Sequence, residues 1–300
     1  WRRHIGDLHS MTSFDRARWP RAIPALLTPF TDTGAVDLDA HAHNVRTVRG
    51  WEGSGILIAG STGEGPYLEQ GERASLIETT RRSDSTMLLI AGVHAESLRQ
   101  ATALVTECSD ADAVLVVTPT SLVRGNTRAI EAFYVDLADR CPIPLLLYSV
   151  PSVTGYELPV DSVRELSNHP NIVGMKDSGG DPSRLPSLSE AIRGGFTVYA
   201  GASRALSESG SKGAWGAITG SGNYALGDVA LAIDQDASAQ RRLTDVSSAV
   251  ERYGVAGTKA AAGMVGLEAG QMRRPLLPLD DPGLAEVRAA VDAAGLTSQK

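Results

Sequence analysis

The most restrictive feature of this sequence is a regular alternation between short apolar runs and longer amphipathic segments. The runs are apolar nearly throughout, which is typical of strands that are buried on both faces of a parallel sheet. Eight strand candidates lie at residues 22–28, 55–59, 88–93, 113–118, 144–150, 172–176, 197–200 and 216–219. A strand followed by a helix, repeated along the chain, predicts a (β/α)8 TIM barrel with additional C-terminal helices.

The segments between the strand candidates have the spacing and the start signals of helices. They lie at residues 38–50, 70–83, 97–109, 127–140, 160–168, 184–193 and 204–210. Asp37 and Ser97 precede two of them, and such side chains commonly cap the first turn of a helix. A doubly wound open sheet is the alternative architecture. Against it, Thr-Pro-Phe follows the first strand where that fold carries a Gly-x-Gly-x-x-Gly turn.

Composition divides the chain into regions and limits its partners. We expect an N-terminal extension over residues 1–20, the barrel over 21–226, and a helical region packed on the barrel over 227–300. A net charge of −7 without a basic run argues against nucleic acid as a partner. No apolar stretch has membrane-spanning length. We therefore expect no membrane association and a cytoplasmic protein.

Lysine is rare in this chain, and one lysine lies in an unusual place. The chain has four lysines, at positions 176, 212, 259 and 300, and Lys176 alone lies inside a strand candidate. Burial removes water from an ammonium group, which lowers the pKa of a lysine and frees its amine to attack a carbonyl. Lys212 precedes the eighth strand and belongs to the opposite rim, and Lys259 lies in the C-terminal region. The alternative is that the Lys176 ammonium reaches solvent.

Two other polar groups are expected beside Lys176, because the active sites of these barrels lie at the carboxyl ends of the strands. Tyr148 ends the fifth strand candidate, and Ser61 and Thr62 follow the second. A lysine can form a Schiff base with a 2-oxo acid, a tyrosine can transfer protons, and hydroxyls can hold a carboxylate. This is class I aldolase chemistry, which needs no metal and no cofactor beyond the covalent Schiff base of the substrate on Lys176. Taken singly, Tyr148 could be a core tyrosine and the Ser61–Thr62 segment a tight turn.

The histidines are not expected to bind a metal. His41 and His43 are two residues apart on a helix candidate and point to different faces. His94 and His169 are isolated in the sequence. We interpret all of them as structural residues.

Three motifs resemble the dihydrodipicolinate synthase/N-acetylneuraminate lyase family. They are Gly-Ser-Thr-Gly-Glu at 60–64, Tyr-Ser-Val-Pro at 148–151 and Gly-Met-Lys-Asp-Ser at 174–178. The resemblance runs from about residue 24 to the last helices. It is strongest over residues 141–185, where the sequence of the motifs is similar to that of 4-hydroxy-2-oxoglutarate aldolase.

The resemblance implies catalytic roles for three residues. Lys176 is the Schiff-base lysine, and Tyr148 is the proton-transferring tyrosine. Ser61 takes part in the proton relay.

The resemblance also implies how the substrate is bound and how the chain assembles. Ser61 and Thr62 bind the carboxylate of pyruvate, and Ser178 lies near the second carbonyl fragment. Ile218, in the Gly-Ala-Ile-Thr segment, presents its backbone to pyruvate. The family is commonly a homotetramer, a dimer of dimers, and the same assembly is expected here with a small-molecule 2-oxo acid as the ligand.

The sequence departs from the family at two positions. Dihydrodipicolinate synthases usually carry a substrate-binding arginine two residues after Tyr-Asn-Val-Pro, and Val153 stands at that position. Valine cannot form the bidentate pair that an arginine forms with a carboxylate. The activity of a dihydrodipicolinate synthase in lysine biosynthesis is therefore disfavoured. Ser121 stands where the family often has a tyrosine that completes a hydroxyl relay across the dimer, which puts the relay in doubt.

The leading hypothesis is a pyruvate-dependent class I aldolase that cleaves a 4-hydroxy-2-oxo acid, such as 4-hydroxy-2-oxoglutarate, to pyruvate and an aldehyde. A 2-oxo-3-deoxy sugar acid aldolase and a dihydrodipicolinate synthase-like enzyme are alternatives within the family. A relative that binds a 2-oxo acid without turning it over is an alternative of another class. Arg124 and Arg184 follow rim loops and could meet a distal carboxylate, but we interpret them as solvated surface residues.

Overall fold

The computed structural model describes residues 18–298, and in it all eight strand candidates form one parallel sheet. The strands are β1 (Ala22–Pro24), β2 (Gly55–Ile58), β3 (Leu88–Val93), β4 (Ala113–Val117), β5 (Leu145–Ser149), β6 (Ile172–Asp177), β7 (Thr197–Ala200) and β8 (Gly216–Thr219). Their order is β1-β8-β7-β6-β5-β4-β3-β2. The first and last strands of this order, β1 and β2, also meet, which closes the barrel. Ala25, which follows β1, forms a parallel bridge with Leu57 of β2, and the Leu26 amide donates to the Leu57 carbonyl at 2.8 Å. The predicted TIM barrel is confirmed.

Helices alternate with the strands and continue beyond the last one. They are α1 (Leu38–Gly50), α2 (Glu72–Ser83), α3 (Leu98–Glu107), α4 (Thr127–Ala138), α5 (Pro151–Thr154), α6 (Val160–Leu166), α7 (Ser189–Arg193), α8 (Leu206–Ser211), α9 (Leu226–Ile233), α10 (Ala237–Glu251), α11 (Gly254–Met264) and α12 (Asp281–Ala293). The predicted caps are present, since Asp37 accepts from the Ala40 amide at 3.0 Å and Ser97 from the Gln100 amide at 3.3 Å. None of the helices within residues 18–298 has both the length and the apolar character needed to span a bilayer.

The strands are apolar throughout because each is covered on both faces. Alternate residues such as Ile23, Leu57 and Ile218 fill the interior of the barrel together with Tyr148. The intervening residues, such as Ile58, pack outward against the helices in the larger apolar layer. This two-sided burial is the physical origin of the pattern that predicted the barrel.

The structure differs from the predicted elements in three places. Strand β1 covers only the first part of the predicted residues 22–28. The predicted helix over 184–193 begins as a 3-10 helix, Pro182–Leu188, because Pro186 lacks the N–H that an α-helical turn would need there. The short helix α5 was not predicted and follows β5 directly, with Pro151 at its first position.

The C-terminal helices are part of the barrel's packing. Helix α9 contacts β1 and β8, and α11 contacts the 3-10 helix Gly220–Asn223 that follows β8. The proposed boundary at residue 226 lies at the start of α9, and the division into regions stays a prediction. Residues 1–17 of the predicted N-terminal extension lie outside the described residues.

Candidate active site

The centre of the site is a lysine and a tyrosine on neighbouring strands. Tyr148 of β5 and Lys176 of β6 are partners in the parallel register, so the pleat sends both side chains to the same face. Lys176 is 5% exposed and Tyr148 is 4% exposed. The Lys176 Nζ lies 3.4 Å from the Tyr148 hydroxyl and 4.6 Å from the centre of its ring. The predicted burial of Lys176 is therefore present, and the solvent-exposed alternative is wrong.

Lys176 differs from an ordinary buried cation in what surrounds it. Among the described residues, no carboxylate lies within ion-pairing distance of its Nζ. Gly201 follows β7 and lies against the side chain, since a Cβ on Gly201 would come within 3.0 Å of the Lys176 Cε. The Lys176 ammonium donates to the hydroxyl of Tyr148.

The surroundings of Tyr148 lower the pKa of its phenol. Burial acts to raise the pKa of Tyr148. The positive charge of Lys176 and the hydrogen bonds of Ser61, Ser178 and Lys176 outweigh the burial, so the pKa of Tyr148 lies below its ordinary value. A phenol in this environment can serve as a proton acceptor beside the lysine.

Ser61 and Thr62 lie in a compact turn after β2. The Glu64 amide donates to the Ser61 carbonyl at 3.1 Å, and the Thr28 hydroxyl donates to the Gly63 carbonyl at 2.6 Å. Gly63 must be a glycine, because a Cβ there would lie 2.8 Å from the Leu26 carbonyl oxygen. The turn thus has a fixed backbone, and the Ser61 hydroxyl reaches the Tyr148 phenol.

Ser178 and Ile218 complete the set of predicted residues. The Ser178 amide donates to the Ser149 carbonyl at 2.9 Å, which holds the residue after β6 against the end of β5. Ser178 also lowers the pKa of Tyr148 through its hydrogen bond. Ile218 of β8 is fully buried in the barrel interior, in the same apolar cluster as Tyr148.

The structure explains what holds the loop that carries Ser121. The Glu96 carboxylate accepts hydrogen bonds from the amides of Thr120 and Ser121, at 3.0 and 2.9 Å. The side chain of Ser121 is exposed. The relay would join two subunits, so the consequence of Ser121 for it stays a prediction.

One interpretation of the rim arginines is wrong. Arg184 is not a solvated surface residue, because its side chain is 8% exposed and its guanidinium lies 2.7 Å from Glu157 and 3.5 Å from Asp177. It also donates to the Leu158 carbonyl. Arg184 is thereby occupied by internal acceptors. Arg124 is exposed as predicted and lies against Gly155.

Sequence reasoning missed His94, which directly follows β3. Its Nε2 lies 3.5 Å from the Ser61 hydroxyl, whereas its buried Nδ1 has no partner among the described residues. Burial, and then the charges of Arg73 and Lys176, lower the pKa of His94 to about 3. The imidazole is therefore neutral at the edge of the site. Its position at a strand's carboxyl end was the signal that could have found it.

Sequence reasoning also assigned Lys259 to the tail, but its side chain is 4% exposed and lies 2.7 Å from the Glu64 carboxylate. Glu64 ends the turn that carries Ser61 and Thr62. No periodicity along the chain could have indicated this contact, because it joins residues far apart in the sequence.

Comparison with known proteins identifies the family. The closed barrel with its buried lysine–tyrosine pair agrees with what the comparisons show, a carbon–carbon lyase of the class I aldolase type. Residues 19–294 match the model of the Dihydrodipicolinate synthetase family. The chain belongs to this family, as its motifs indicated.

Named relatives and solved structures agree with the assignment. The chain is 32% identical to 4-hydroxy-tetrahydrodipicolinate synthase 1 of Streptomyces coelicolor over 93% of this chain and 95% of the relative. It is 31% identical to the 4-hydroxy-tetrahydrodipicolinate synthase of Methanosarcina mazei over 89% and 95%. A chloride-inhibited dihydrodipicolinate synthase from Acinetobacter baumannii, solved in complex with pyruvate, superposes with a TM-score of 0.83 at 30% identity, covering 92% of this chain and 98% of that one.

Proposed function

We propose that this protein is a pyruvate-dependent class I aldolase that forms a Schiff base on Lys176. Its substrate is a 4-hydroxy-2-oxo acid, such as 4-hydroxy-2-oxoglutarate, and its products are pyruvate and an aldehyde. The observation that carries the proposal is the buried Lys176 ammonium, 3.4 Å from the Tyr148 hydroxyl and without a carboxylate partner in the described chain.

The reaction begins when the Lys176 amine attacks the 2-oxo carbon of the substrate. Loss of the carbonyl oxygen as water gives the protonated imine, which withdraws electrons from the neighbouring carbons. The Tyr148 phenolate removes the proton of the 4-hydroxyl group. The bond between C3 and C4 then breaks, its electron pair passes into the imine as an enamine, and the aldehyde leaves.

The remaining steps regenerate the enzyme. Tyr148 returns its proton to C3 of the enamine, which gives the imine of pyruvate. Water attacks this imine, pyruvate leaves, and the Lys176 amine is restored. Each proton taken up is given back, so the cycle needs no oxidant or reductant.

The other proposed residues bind the substrate. Ser61 and Thr62 hold the carboxylate next to the 2-oxo group, and the Ser61 hydroxyl also supports the Tyr148 phenolate. Ser178 lies beside the departing aldehyde, and the backbone of Ile218 borders pyruvate. Bound carboxylate and developing charge would be stabilised by hydroxyl and amide donors that are already in place.

One side chain bears on the choice between cleavage and synthesis. Val153 lies in α5 and is 65% exposed. An apolar side chain at that place cannot bind a carboxylate, which favours cleavage of a 4-hydroxy-2-oxo acid over the synthesis for which the relatives are named. A 2-oxo-3-deoxy sugar acid is an alternative substrate.

A second candidate is 4-hydroxy-tetrahydrodipicolinate synthesis. It is favoured by the relatives at 31% and 32% identity that carry this name. A non-catalytic 2-oxo acid-binding protein is disfavoured, because Lys176, Tyr148 and Ser61 are all present and both Lys176 and Ser61 contact the Tyr148 hydroxyl.

The test compares three activities of the purified protein. We expect pyruvate release from 4-hydroxy-2-oxoglutarate by the wild type and its loss in Tyr148→Phe. Condensation of pyruvate with a four-carbon amino aldehyde to 4-hydroxy-tetrahydrodipicolinate and water, without cleavage of the 4-hydroxy-2-oxo acid, would favour the second candidate. Cleavage of a 2-oxo-3-deoxy sugar acid alone would retain the mechanism and replace the substrate. No turnover of any 2-oxo acid would contradict the enzymatic proposal.

We also propose that the protein is a cytoplasmic homotetramer, a dimer of dimers. Support comes from two exposed apolar side chains on segments that follow neighbouring strands, Leu122 after β4 at 98% exposure and Val153 in α5 at 65% exposure. Exposed apolar side chains are common at subunit contacts. Light scattering after size-exclusion chromatography should give four times the 31.5 kDa mass of the chain.

A further inference from the structure

The chain buries a second lysine that the mechanism above does not use. Lys259 of α11 and Glu64 form an ion pair at 2.7 Å, with side chains 4% and 0% exposed. Removing two charges from water costs more than most such pairs regain by their attraction. A pair of this kind is weak evidence for stability and calls for another explanation.

Glu64 occupies a special position in the backbone. It is the last residue of the Ser61–Thr62 turn and has a φ of 55°, in the left-handed region that side chains other than glycine rarely adopt. Its other carboxylate oxygen accepts the Arg273 amide at 2.9 Å. The carboxylate therefore holds the unusual backbone of the turn from behind.

Lys259 is fixed as firmly as its partner. Its ammonium also donates to the Gln271 carbonyl and lies 5.0 Å from the centre of the Phe30 ring. The Gln271 amide donates in turn to the Phe30 carbonyl at 2.7 Å. Gln271, after α11, and Phe30, after β1, thus contact the ammonium and hold it beside Glu64.

The two arginines near the turn do not pair with Glu64. The Arg273 guanidinium pairs with Glu72, at 2.5 Å, and donates to backbone carbonyls. The Arg73 guanidinium donates to the carbonyls of Gly65 and Gly92. Among the described residues, Lys259 is therefore the cation that ion-pairs with Glu64.

Two further titratable groups face the turn, the Tyr148 phenol, which bonds to Ser61 and has a lowered pKa, and His94. A Cβ on Gly65 would lie 3.0 Å from the His94 ring. Burial keeps the pKa of His94 at about 3, so this side chain adds no charge near neutral pH.

We propose that the Lys259–Glu64 pair is a positioning device that fixes the Ser61–Thr62 turn, and that the Lys259 ammonium neutralises the Glu64 carboxylate at the end of that turn. Neither side chain is a catalytic residue. Together they set the affinity of the turn for the carboxylate of a 2-oxo acid. The inference rests on the proposed function, since it takes this turn as the carboxylate site.

The charge of the Glu64 carboxylate matters because, in the proposed function, the turn binds an anion. Without Lys259, the Glu64 carboxylate would lie unpaired in a buried place, and burial raises the pKa of such a carboxyl group. At low pH it would be protonated and neutral. At higher pH it would ionise directly behind the site and repel the carboxylate of the substrate.

The test measures how much pyruvate half-saturates the trapping of the Lys176 imine by borohydride, between pH 6 and pH 9. Lys259→Met should raise this concentration relative to the wild type. The ratio of variant to wild type should be at least about tenfold larger at pH 9 than at pH 6. The double variant Lys259→Met/Glu64→Gln should lose the added pH dependence. Lys259→Arg retains the positive charge, so its half-saturating pyruvate concentration should stay within about threefold of that of the wild type. A change of about one in the pKa of a group that controls binding would change this concentration about tenfold.

The outcomes separate the pair's role from folding and from the proposed function. Melting temperatures that fall in Lys259→Met while the half-saturating concentration matches the wild type at every pH would overturn the inference. The inference would also fail if the double variant kept the pH dependence of Lys259→Met. Absence of any pyruvate adduct in the wild type would contradict the proposed function as well.

A second variant keeps the test decisive if Lys259→Met fails to fold. Glu64→Gln leaves the ammonium unpaired behind the turn, where a positive charge attracts an anion. At pH 6 this variant should be half-saturated by less pyruvate than the double variant. Equal values for the two variants would contradict the electrostatic part of the inference.

Discussion

The two buried lysines of this barrel lie in opposite electrostatic surroundings. Lys176 and Lys259 are 5% and 4% exposed. Lys176 contacts the tyrosine that bonds to Ser61, and Lys259 pairs with the glutamate that ends the Ser61–Thr62 turn. The polar neighbour of Lys176 is a phenol at 3.4 Å, whereas Lys259 lies 2.7 Å from a carboxylate. The difference teaches that burial alone does not make a lysine a nucleophile. Its partner decides whether the amine is available or occupied.

The partner acts through charge. Burial lowers the pKa of Lys259, and the charge and hydrogen bonding of Glu64 oppose that shift. A carboxylate thus holds Lys259 as an ammonium with a fixed acceptor. A phenol gives Lys176 a group that can exchange protons with it and with a substrate.

The largest effect should come from the same substitution made at both lysines. Lys176→Arg should abolish turnover, because a guanidinium stays protonated and cannot form an imine. Lys259→Arg should retain activity within about threefold, since an arginine can pair with Glu64. Steady-state pyruvate release measures both. Equal losses at the two positions would erase the contrast between them.

Tyr148→Phe should have the next largest effect. Loss of the proton acceptor should lower kcat by about 10²- to 10⁴-fold, the usual contribution of general acid–base catalysis. Tyr134→Phe is the matched control, because Tyr134 of α4 is also a buried tyrosine but bonds to Thr118 and to the Val116 carbonyl. The control should lose stability and keep kcat. A kcat near that of the wild type in Tyr148→Phe would remove the phenol from the mechanism.

Ser61→Ala should shift the pH dependence of the reaction. The Ser61 hydroxyl lowers the pKa of Tyr148, so its loss should raise that pKa. Because the phenolate is the reactive form, the rise of kcat/KM with pH should move to higher pH, and the rate below that pKa should fall about tenfold when the pKa rises by about one. Ser75→Ala is a control on the surface of α2, where the hydroxyl donates to the Gly71 carbonyl. An unshifted profile in Ser61→Ala would mean that the serine does not act on the phenol.

His94→Leu should have the smallest effect. It removes the neutral imidazole from the Ser61 hydroxyl, 3.5 Å away. One hydrogen bond contributes about 0.5–1.5 kcal/mol, which corresponds to a loss of roughly two- to tenfold in kcat. His94→Gln should recover part of the loss, since its amide can still donate. An inactive His94→Leu that is folded would mean that the histidine has a larger role than orienting Ser61.

The part of the site near β5 and β6 could be predicted because its signals are local. Apolar runs with two-sided burial placed Tyr148 and Lys176 at strand ends, and the register of adjacent parallel strands then brought them together. The turn at Ser61 followed from the same rule, as the residue after β2. These predictions required no knowledge of contacts between distant segments.

The part of the site behind the turn could not be predicted in this way. Lys259 lies in a helix that is separated from Glu64 by most of the barrel, and its uncharged neighbours do not indicate which carboxylate it meets. Arg184 was misassigned for the same reason, because its acceptors Glu157 and Asp177 lie outside its own helix. His94 required knowing which strand ends face Ser61. Long-range packing, not local pattern, decides the environment of all three.

The most direct test of Lys176 as the nucleophile is to reduce the protein with borohydride in the presence of pyruvate and to map the modified peptide. We predict one stable adduct, of the mass of reduced pyruvate, on the peptide that carries Lys176. We predict none on the peptide that carries Lys259. A folded protein without an adduct, or with the adduct on Lys259, would contradict the proposed Schiff-base mechanism.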